Sequence, residues 1–245
     1  MEIINFAAQT SQGPFLNLNE DAFEYDLDSE FFTVLDGFGG AGCGDVTVKE
    51  LASNLKKFYT NFIFDPNSTL PFYYSPRYLP EGNAIINAAL NSHQKIFEAN
   101  TNKDLSSRSG ASGIVGSKVE SVLSLLSVGN CRAYLFRKGK TLPIFTEDSF
   151  KYLSHDLFET HLKNIPLSGF GLFPDLHYQV KELRVAKDDK VLLLTDGVYG
   201  RISDEELLST ISKFSLNINH KIHELFDLSN SRGNLDNQTC MILEF

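Results

Sequence analysis

Four short motifs set carboxylates against hydrophobic runs. Leu35-Asp36-Gly37 follows Glu30-Phe31-Phe32-Thr33-Val34, and Thr195-Asp196-Gly197 follows Lys190-Val191-Leu192-Leu193-Leu194. Asn19-Glu20-Asp21 comes ahead of the first, and Asp236-Asn237 stands just before the closing run Gln238 to Phe245. A lone Asp-Gly reads as a turn. Four acids, each abutting a buried run, read differently. Strand ends in one sheet system can converge, and clustered carboxylates repel one another unless a cation neutralises them. Hard oxygen donors suit Mg²⁺ or Mn²⁺ and not Zn²⁺. No His-x-x-x-His or cysteine pair competes for a metal.

The elements that must position these acids are legible as patterns. Glu30 to Leu35 and Lys190 to Thr195 read as buried strands, each ending in Asp-Gly. Ser121 to Val128 and Cys131 to Arg137 read as two strands joined by the turn Gly129-Asn130. A further strand is expected near Leu142 to Phe145, after the turn Lys138-Gly139-Lys140, and a final one from Gln238 to Phe245. Val46 to Phe64 carries apolar residues at Val48, Leu51, Leu55, Phe58 and Phe62, the helical period, and Glu81 to Asn100 does the same. Ser203-Asp204-Glu205-Glu206 is a capping box opening a helix, and His220 to Leu228 reads as another. Between Pro66 and Pro80 lies a loop dense in Pro, Tyr and Phe. Strands often follow one another directly, which argues for α+β over an alternating α/β sheet.

Composition narrows the partners. The 245 residues carry 31 acidic and 22 basic side chains, a formal charge of −9. An acidic chain of this kind is a poor electrostatic partner for nucleic acid or an anionic membrane. No apolar run approaches the ~20 residues needed to span a bilayer, and no secretory signal is visible after Met1. The three cysteines, Cys43, Cys131 and Cys240, are widely spaced and read as reduced thiols of a cytoplasmic protein. No repeat or low-complexity tract marks a linker, so one domain over 1–245 and a monomer are expected.

The order of motifs resembles the metal-dependent type-2C (PPM) serine/threonine protein phosphatases, bacterial type. Asn19-Glu20-Asp21, Asp36-Gly37-Phe38-Gly39-Gly40, Thr195-Asp196-Gly197 and Asp236-Asn237 carry the likeness. Between them, Ser109-Gly110-Ala111-Ser112 resembles the family's Gly-Thr-Thr segment and Val128-Gly129-Asn130-Cys131-Arg132-Ala133 its Val-Gly-Asp-Ser-Arg-Ala turn. Phe145-Thr146-Glu147-Asp148 is similar to its Thr-x-Asp-His step, and Leu167-Ser168-Gly169-Phe170-Gly171 to its Arg-Ala-Leu-Gly region. The ordered set covers nearly the whole chain.

The resemblance implies a four-layer α-β-β-α sandwich of two antiparallel sheets flanked by helices. It implies two Mn²⁺ or Mg²⁺ ions, Asp36 bridging both, the Gly37 carbonyl completing one shell, and Asp21, Asp196 and Asp236 supplying the other carboxylates. Glu20 would hold a water from just outside. The implied reaction is hydrolysis of phosphoserine or phosphothreonine in proteins by a water bridging the two ions, with no serine or cysteine nucleophile. The implied partners are a phosphorylated protein substrate and a cognate Ser/Thr kinase or its targets. A flap beside the site is expected within 149–183, with His155, His161 and His177 inside it. Gly39 and Gly40 would turn the chain into the helix starting near Asp45.

Departures from the pattern bear on the phosphate. Leu16 sits about where the family has a phosphate-gripping arginine, and Phe38 where many members have histidine. Ser107-Arg108-Ser109 and Gly200 stand where two acids of a third metal site belong. Arg201 is the candidate replacement anchor; Arg132 reads as structural. The alternative is a low-activity or inactive regulatory module on the same fold. A haloacid-dehalogenase reading wants a second carboxylate two residues after Asp36, and position 38 is Phe.

Overall fold

Alternation along the strands builds the layers. In the computed structural model, which describes residues 2–39, 42–65, 67–104, 107–146, 148–149, 166–213 and 217–245, ten strands form two five-stranded sheets. The first has the order β1 (Asn5–Ser11), β10 (Gln238–Glu244), β9 (Lys190–Leu194), β6 (Arg132–Arg137), β7 (Lys140–Pro143). The second has the order β2 (Asp21–Asp26), β3 (Phe31–Gly39), β4 (Ser109–Val119), β5 (Val122–Val128), β8 (Gln179–Arg184). All neighbouring pairs are antiparallel.

Successive side chains of a strand face opposite sides, and both sides are apolar here. Phe32 and Val34 of β3 meet Val191 and Leu193 of β9 and Met241 and Leu243 of β10 between the sheets. Phe31 and Leu35 turn outward onto α1 (Gly44–Phe64) and α2 (Pro80–Asn100). Leu192, Leu194, Cys240 and Ile242 turn the other way, onto α3 (Asp196–Tyr199), α4 (Asp204–Ile211) and α5 (Ile218–Ser231). Helix α1 offers Val48, Leu51, Ala52, Leu55 and Tyr59, spaced at the helical period, as its buried stripe. The result is the expected four-layer sandwich of two antiparallel sheets between helices.

Three expectations are corrected. The first metal-motif strand does not stop at Asp36-Gly37; β3 runs on to Gly39, with Gly37 paired to Ala111 and Gly39 to Ser109. Glycine permits this because a Cβ on Gly37 would lie 2.5 Å from the Glu20 carbonyl oxygen and 2.6 Å from Val48 Cγ1. Second, Gly129-Asn130 is not a hairpin turn within one sheet. β5 and β6 lie in different sheets, and this corner carries the chain across. Gly129 takes φ +77 there, and a Cβ would strike the Ser112 hydroxyl at 2.4 Å. Third, the strand expected near Leu142 to Phe145 is Lys140–Pro143, directly after a turn in which Lys138 and Gly139 both have positive φ. Strands β1, β2 and β8 and the short helix α3 had no counterpart in the sequence reading. Gly40, Glu147, His155 and His161 lie outside the described residues.

Candidate active site

The acids meet where the two sheets open at one end. Antiparallel register sets Asp21 directly opposite Asp36, so both carboxylates leave the same face of the second sheet, and Asp36 stands opposite Ser112 on its other side. The first sheet contributes from the end of β9 and the approach to β10. Asp196 opens α3 immediately after β9, and Asp236 stands just before β10. A bond between the sheets ties the halves together: the Thr195 hydroxyl donates to Asp21 Oδ2 at 2.8 Å. Gly197 is required at this junction, because a Cβ there would fall 1.7 Å from the Asn237 carbonyl oxygen.

The electrostatics show four acids crowding one another. Burial pushes the Asp21 carboxyl up to about 8; the Thr195 and Thr239 hydroxyls pull it down, and Asp196 and Asp236 add to the rise. Asp36 is raised well above the usual carboxylate range, by burial first and then by Asp196, Asp21, Asp236 and Glu20. Asp196 is raised to about 7 by burial and by Asp236, against the opposing pull of the Gly197 amide and Arg132. Asp236 is raised as well, by desolvation. Such shifts mean that the ionised acids lack a counter-charge of sufficient strength.

Asn237 holds the framework around them. Its side-chain oxygen accepts from the Glu20 amide at 2.8 Å, and its Nδ2 donates to the carbonyls of Gln12 and Leu18 at 2.8 and 3.0 Å. One buried amide thus clips the loop between β1 and β2 to the approach to β10. Glu20 then reaches α1: its Oε1 accepts the Gly44 amide at 2.9 Å, and its carbonyl accepts the Gly37 amide at 2.9 Å. Its carboxylate therefore sits at a helix N-terminus, where negative charge is favoured. On the other flank Asn130 Nδ2 donates to Asp196 Oδ2 at 3.2 Å, and the Tyr199 hydroxyl donates to the Asn130 carbonyl at 2.7 Å. The Arg132 guanidinium lies over the Tyr199 ring, 3.8 Å from its centre.

The structure thus brings Asp21, Asp36, Asp196 and Asp236 into one field, with Glu20 behind them. Among the described residues no three Asp, Glu, His or Cys side chains form a closed ligand group; the acids act on one another through charge without pointing at a single atom. Their chemistry nevertheless fits divalent cations. The donors are hard oxygens, their ionised forms lack compensation, and Gly37 and Gly197 let backbone approach where a side chain would not fit. Arg201 is exposed in the turn after α3, its carbonyl accepting from Arg232 at 2.9 Å, while Arg132 is the arginine whose charge reaches Asp196. Leu16 is half-exposed in the loop after β1. The Phe38 ring fills the space beside Gly110 and Gly169, where a Cβ would lie 2.8 and 2.6 Å from it. That contact seats the segment returning from the expected flap, and Phe170 bridges to Ala111 next to it.

The sequence reading missed Thr195 and Asn237 as positioning residues, although both lie within motifs it quoted. A polar residue flanking an acid at a strand end was the available signal. One spacing invites a different chemistry: Cys131 and Arg137 stand as in the Cys-x5-Arg loop of thiol phosphatases. Here the intervening residues are strand β6, so the two ends lie roughly 20 Å apart. The buried Cys131 thiol is pushed well up, and Arg137 is held by Asp189. That arrangement cannot cradle a phosphate.

No protein-family model matches the chain, and no curated protein matches it. Solved structures do. PppA, a key regulatory component of T6SS in Pseudomonas aeruginosa, is 21% identical with a TM-score of 0.80, over 98% of this chain and 96% of that one. The PPM Ser-Thr phosphatase MsPP from Mycobacterium smegmatis, solved with cacodylate, is 16% identical with a TM-score of 0.80 over 100% of both chains. The catalytic domain of the serine threonine protein phosphatase PstP, in complex with 2 manganese ions, is 20% identical with a TM-score of 0.77, over 98% of this chain and 97% of that one. The chain therefore has the fold of the bacterial PPM-type serine/threonine phosphatases.

Proposed function

We propose that the chain is a divalent-metal-dependent phosphatase that hydrolyses phosphoserine or phosphothreonine in proteins. The observation that carries this reading is the mutual crowding of Asp21, Asp36, Asp196 and Asp236 at the open end of the two sheets. The fold shared with PPM phosphatases, one of them solved with 2 manganese ions, supports it. The four aspartates and the Gly37 carbonyl are the groups that would hold two Mn²⁺ or Mg²⁺ ions. Such ions supply Lewis acidity: they acidify water and offset the charge on phosphoryl oxygens.

The chain's own residues do the rest. Thr195 orients Asp21, Asn130 orients Asp196, and Asn237 with Glu20 fixes the loop that closes the site. Arg132 and Arg201 are the basic groups for the phosphate, Arg132 being the one whose charge is felt at Asp196. The substrate is a phosphoprotein, and a Ser/Thr kinase that produces it is the matching partner. We read 1–245 as a single domain because one apolar layer joins both sheets; of the flap expected within 149–183, residues 150–165 lie outside the described ones, and Gln179 to Leu183 belong to β8. No helix among the described residues is long and apolar enough to cross a membrane; we propose a cytoplasmic monomer.

Purified protein should release phosphate from a phosphopeptide or from p-nitrophenyl phosphate with Mn²⁺ or Mg²⁺ and stop in a chelator. Undiminished turnover in the chelator contradicts the reading. Leu16 in place of a basic residue favours a second reading, a regulatory module on this fold with little turnover. It predicts metal binding too weak to detect at millimolar ion and no phosphate release.

A further inference from the structure

Both backbone polar groups of Gly171 are held by side chains of α2. Its amide donates to His93 Nδ1 at 3.0 Å, and its carbonyl accepts from Asn100 Nδ2 at 2.9 Å. His93, Ile96 and Asn100 stand on one face of the helix, at the i, i+3, i+7 spacing, and all three are buried. Gly171 is pressed against that face: it takes φ +80, and a Cβ there would fall 2.2 Å from Ile96 Cγ2. Arg108 holds the next residue, donating to the Leu172 carbonyl at 3.2 Å.

This bracket supports the strands behind the acids. β5 last pairs with β4 at Val128 and Gly113 and then leaves for the other sheet, so Ala111 has no β5 partner. Phe170 takes that place, exchanging two backbone bonds with Ala111 at 2.8 and 3.4 Å. Ala111 is in turn the register partner of Gly37, and the Phe38 ring lies against Gly169. The run Gly169 to Leu172 is therefore a strut between α2 and the β3–β4 pair that carries Asp36.

The strut hangs on a ring nitrogen that has to be unprotonated. Nδ1 accepts only in the neutral imidazole; in the cation both nitrogens are donors, and Nδ1–H would face the Gly171 N–H. His93 is 4% exposed. Burial lowers its proton affinity, and the Pro174 and Phe173 backbone and the Asp175 carboxylate oppose this only in part. Asp175 is the charged group that acts on the ring. β4 has no titratable side chain from Ser109 to Ser117, the buried stripe of α1 has only the Tyr59 phenol, and Lys95 and Glu98 of α2 face solvent.

We propose that His93 is a positioning residue and the acid-sensitive latch of this strut. The neutral imidazole holds Gly171 against α2; uptake of one proton at Nδ1 releases Gly169 to Leu172 and loosens the β3–β4 pair at Asp36. The consequence for phosphate release rests on the function proposed above, whereas the latch itself does not.

Hydrogen exchange of the metal-free full chain, corrected for the intrinsic pH dependence of exchange, tests the latch. His93→Asn puts a carbonyl oxygen about where Nδ1 stands and cannot titrate, while the acid cluster titrates alike in both chains. Protection of Gly169 to Leu172 in the parent, relative to His93→Asn, should fall about tenfold from pH 7.5 to pH 5.5, the span of one imidazole that titrates near about 6.5 once released. If the variant does not fold, the parent serves alone: by NMR its His93 ring and Gly171 amide should titrate together, with a midpoint below the ordinary histidine value. With saturating Mn²⁺, turnover of p-nitrophenyl phosphate should fall more steeply below pH 6.5 in the parent than in His93→Asn. Absence of any turnover would contradict the phosphatase reading and leave the exchange result to decide the latch. A protection ratio that stays flat with pH, a His93 midpoint at or above the ordinary value, or parallel pH profiles of turnover in the two chains would each overturn the proposal.

Discussion

The strands β9 and β10 carry buried charge at both ends, and the two ends handle it differently. At one end burial raises Asp21, Asp36, Asp196 and Asp236, neighbouring aspartates add to the rise at the first three, and Arg132 opposes only Asp196 among these shifts. At the other, Lys190 and Lys221 meet a carboxylate of the same chain, Glu244. The lysine end is thus close to neutral by itself. The acid end is not, and its carboxyls either hold protons or need a cation beside them. That contrast is in keeping with the cation site proposed for the acid end, while the lysines find their counter-charge within the chain.

The largest effect that sharpens this contrast is catalytic. Asp36→Asn or Asp196→Asn should lower Mn²⁺-dependent phosphate release by on the order of a thousandfold while circular dichroism stays unchanged. Retained turnover in either variant would break the assignment. Next comes pH. Carboxyls raised in the folded state hold protons that the unfolded chain gives up above about pH 4. Their contribution to stability is therefore full at low pH and is lost as pH rises through about 7 to 8, the values for Asp196 and Asp21. Metal-free protein should melt on the order of 10 °C lower at pH 8 than at pH 5, and saturating Mn²⁺ should flatten that slope. A slope that Mn²⁺ leaves intact would place the acids outside the ion site.

Smaller effects separate framework from chemistry. Asn237→Ala unclips Glu20, Gln12 and Leu18 and leaves their partly buried backbone groups to water, a loss of about 1–2 kcal/mol in chemical denaturation. Turnover should fall with it, through a looser Asp36 strand. The smallest effect belongs to the lysine end. Lys221→Met replaces a cation that shares its carboxylate by an apolar chain of similar length, and stability near pH 7 should change by less than about 1 kcal/mol. A loss of several kcal/mol there would mean that Lys221 is a structural keystone and that the two ends are alike.

Much of this was legible in the sequence because the signals are local. The capping box at Ser203 and Glu206 forms as written, with both reciprocal bonds present. The α1 stripe and the runs of β3, β9 and β10 carry their burial in their own periodicity. What escaped depends on partners far along the chain. β1, β2 and β8 have mixed exposure and become strands only by pairing with β10, β3 and β5. The continuation of β3 through Asp36-Gly37 was hidden because Asp-Gly is a strong turn signal, and only the close approach of Glu20 and Val48 shows why glycine is there. Asn237 was visible as a letter beside Asp236; its role needs the loop between β1 and β2 brought against the approach to β10. The Lys190–Lys221 pair joins a strand to a helix and has no local signature at all.

Calorimetric titration of the metal-free chain with Mn²⁺ tests the central claim most directly. The account predicts two ions per chain, proton release on binding at pH 7, and loss of both features in Asp36→Asn. A flat titration of the parent chain at millimolar Mn²⁺ would contradict it.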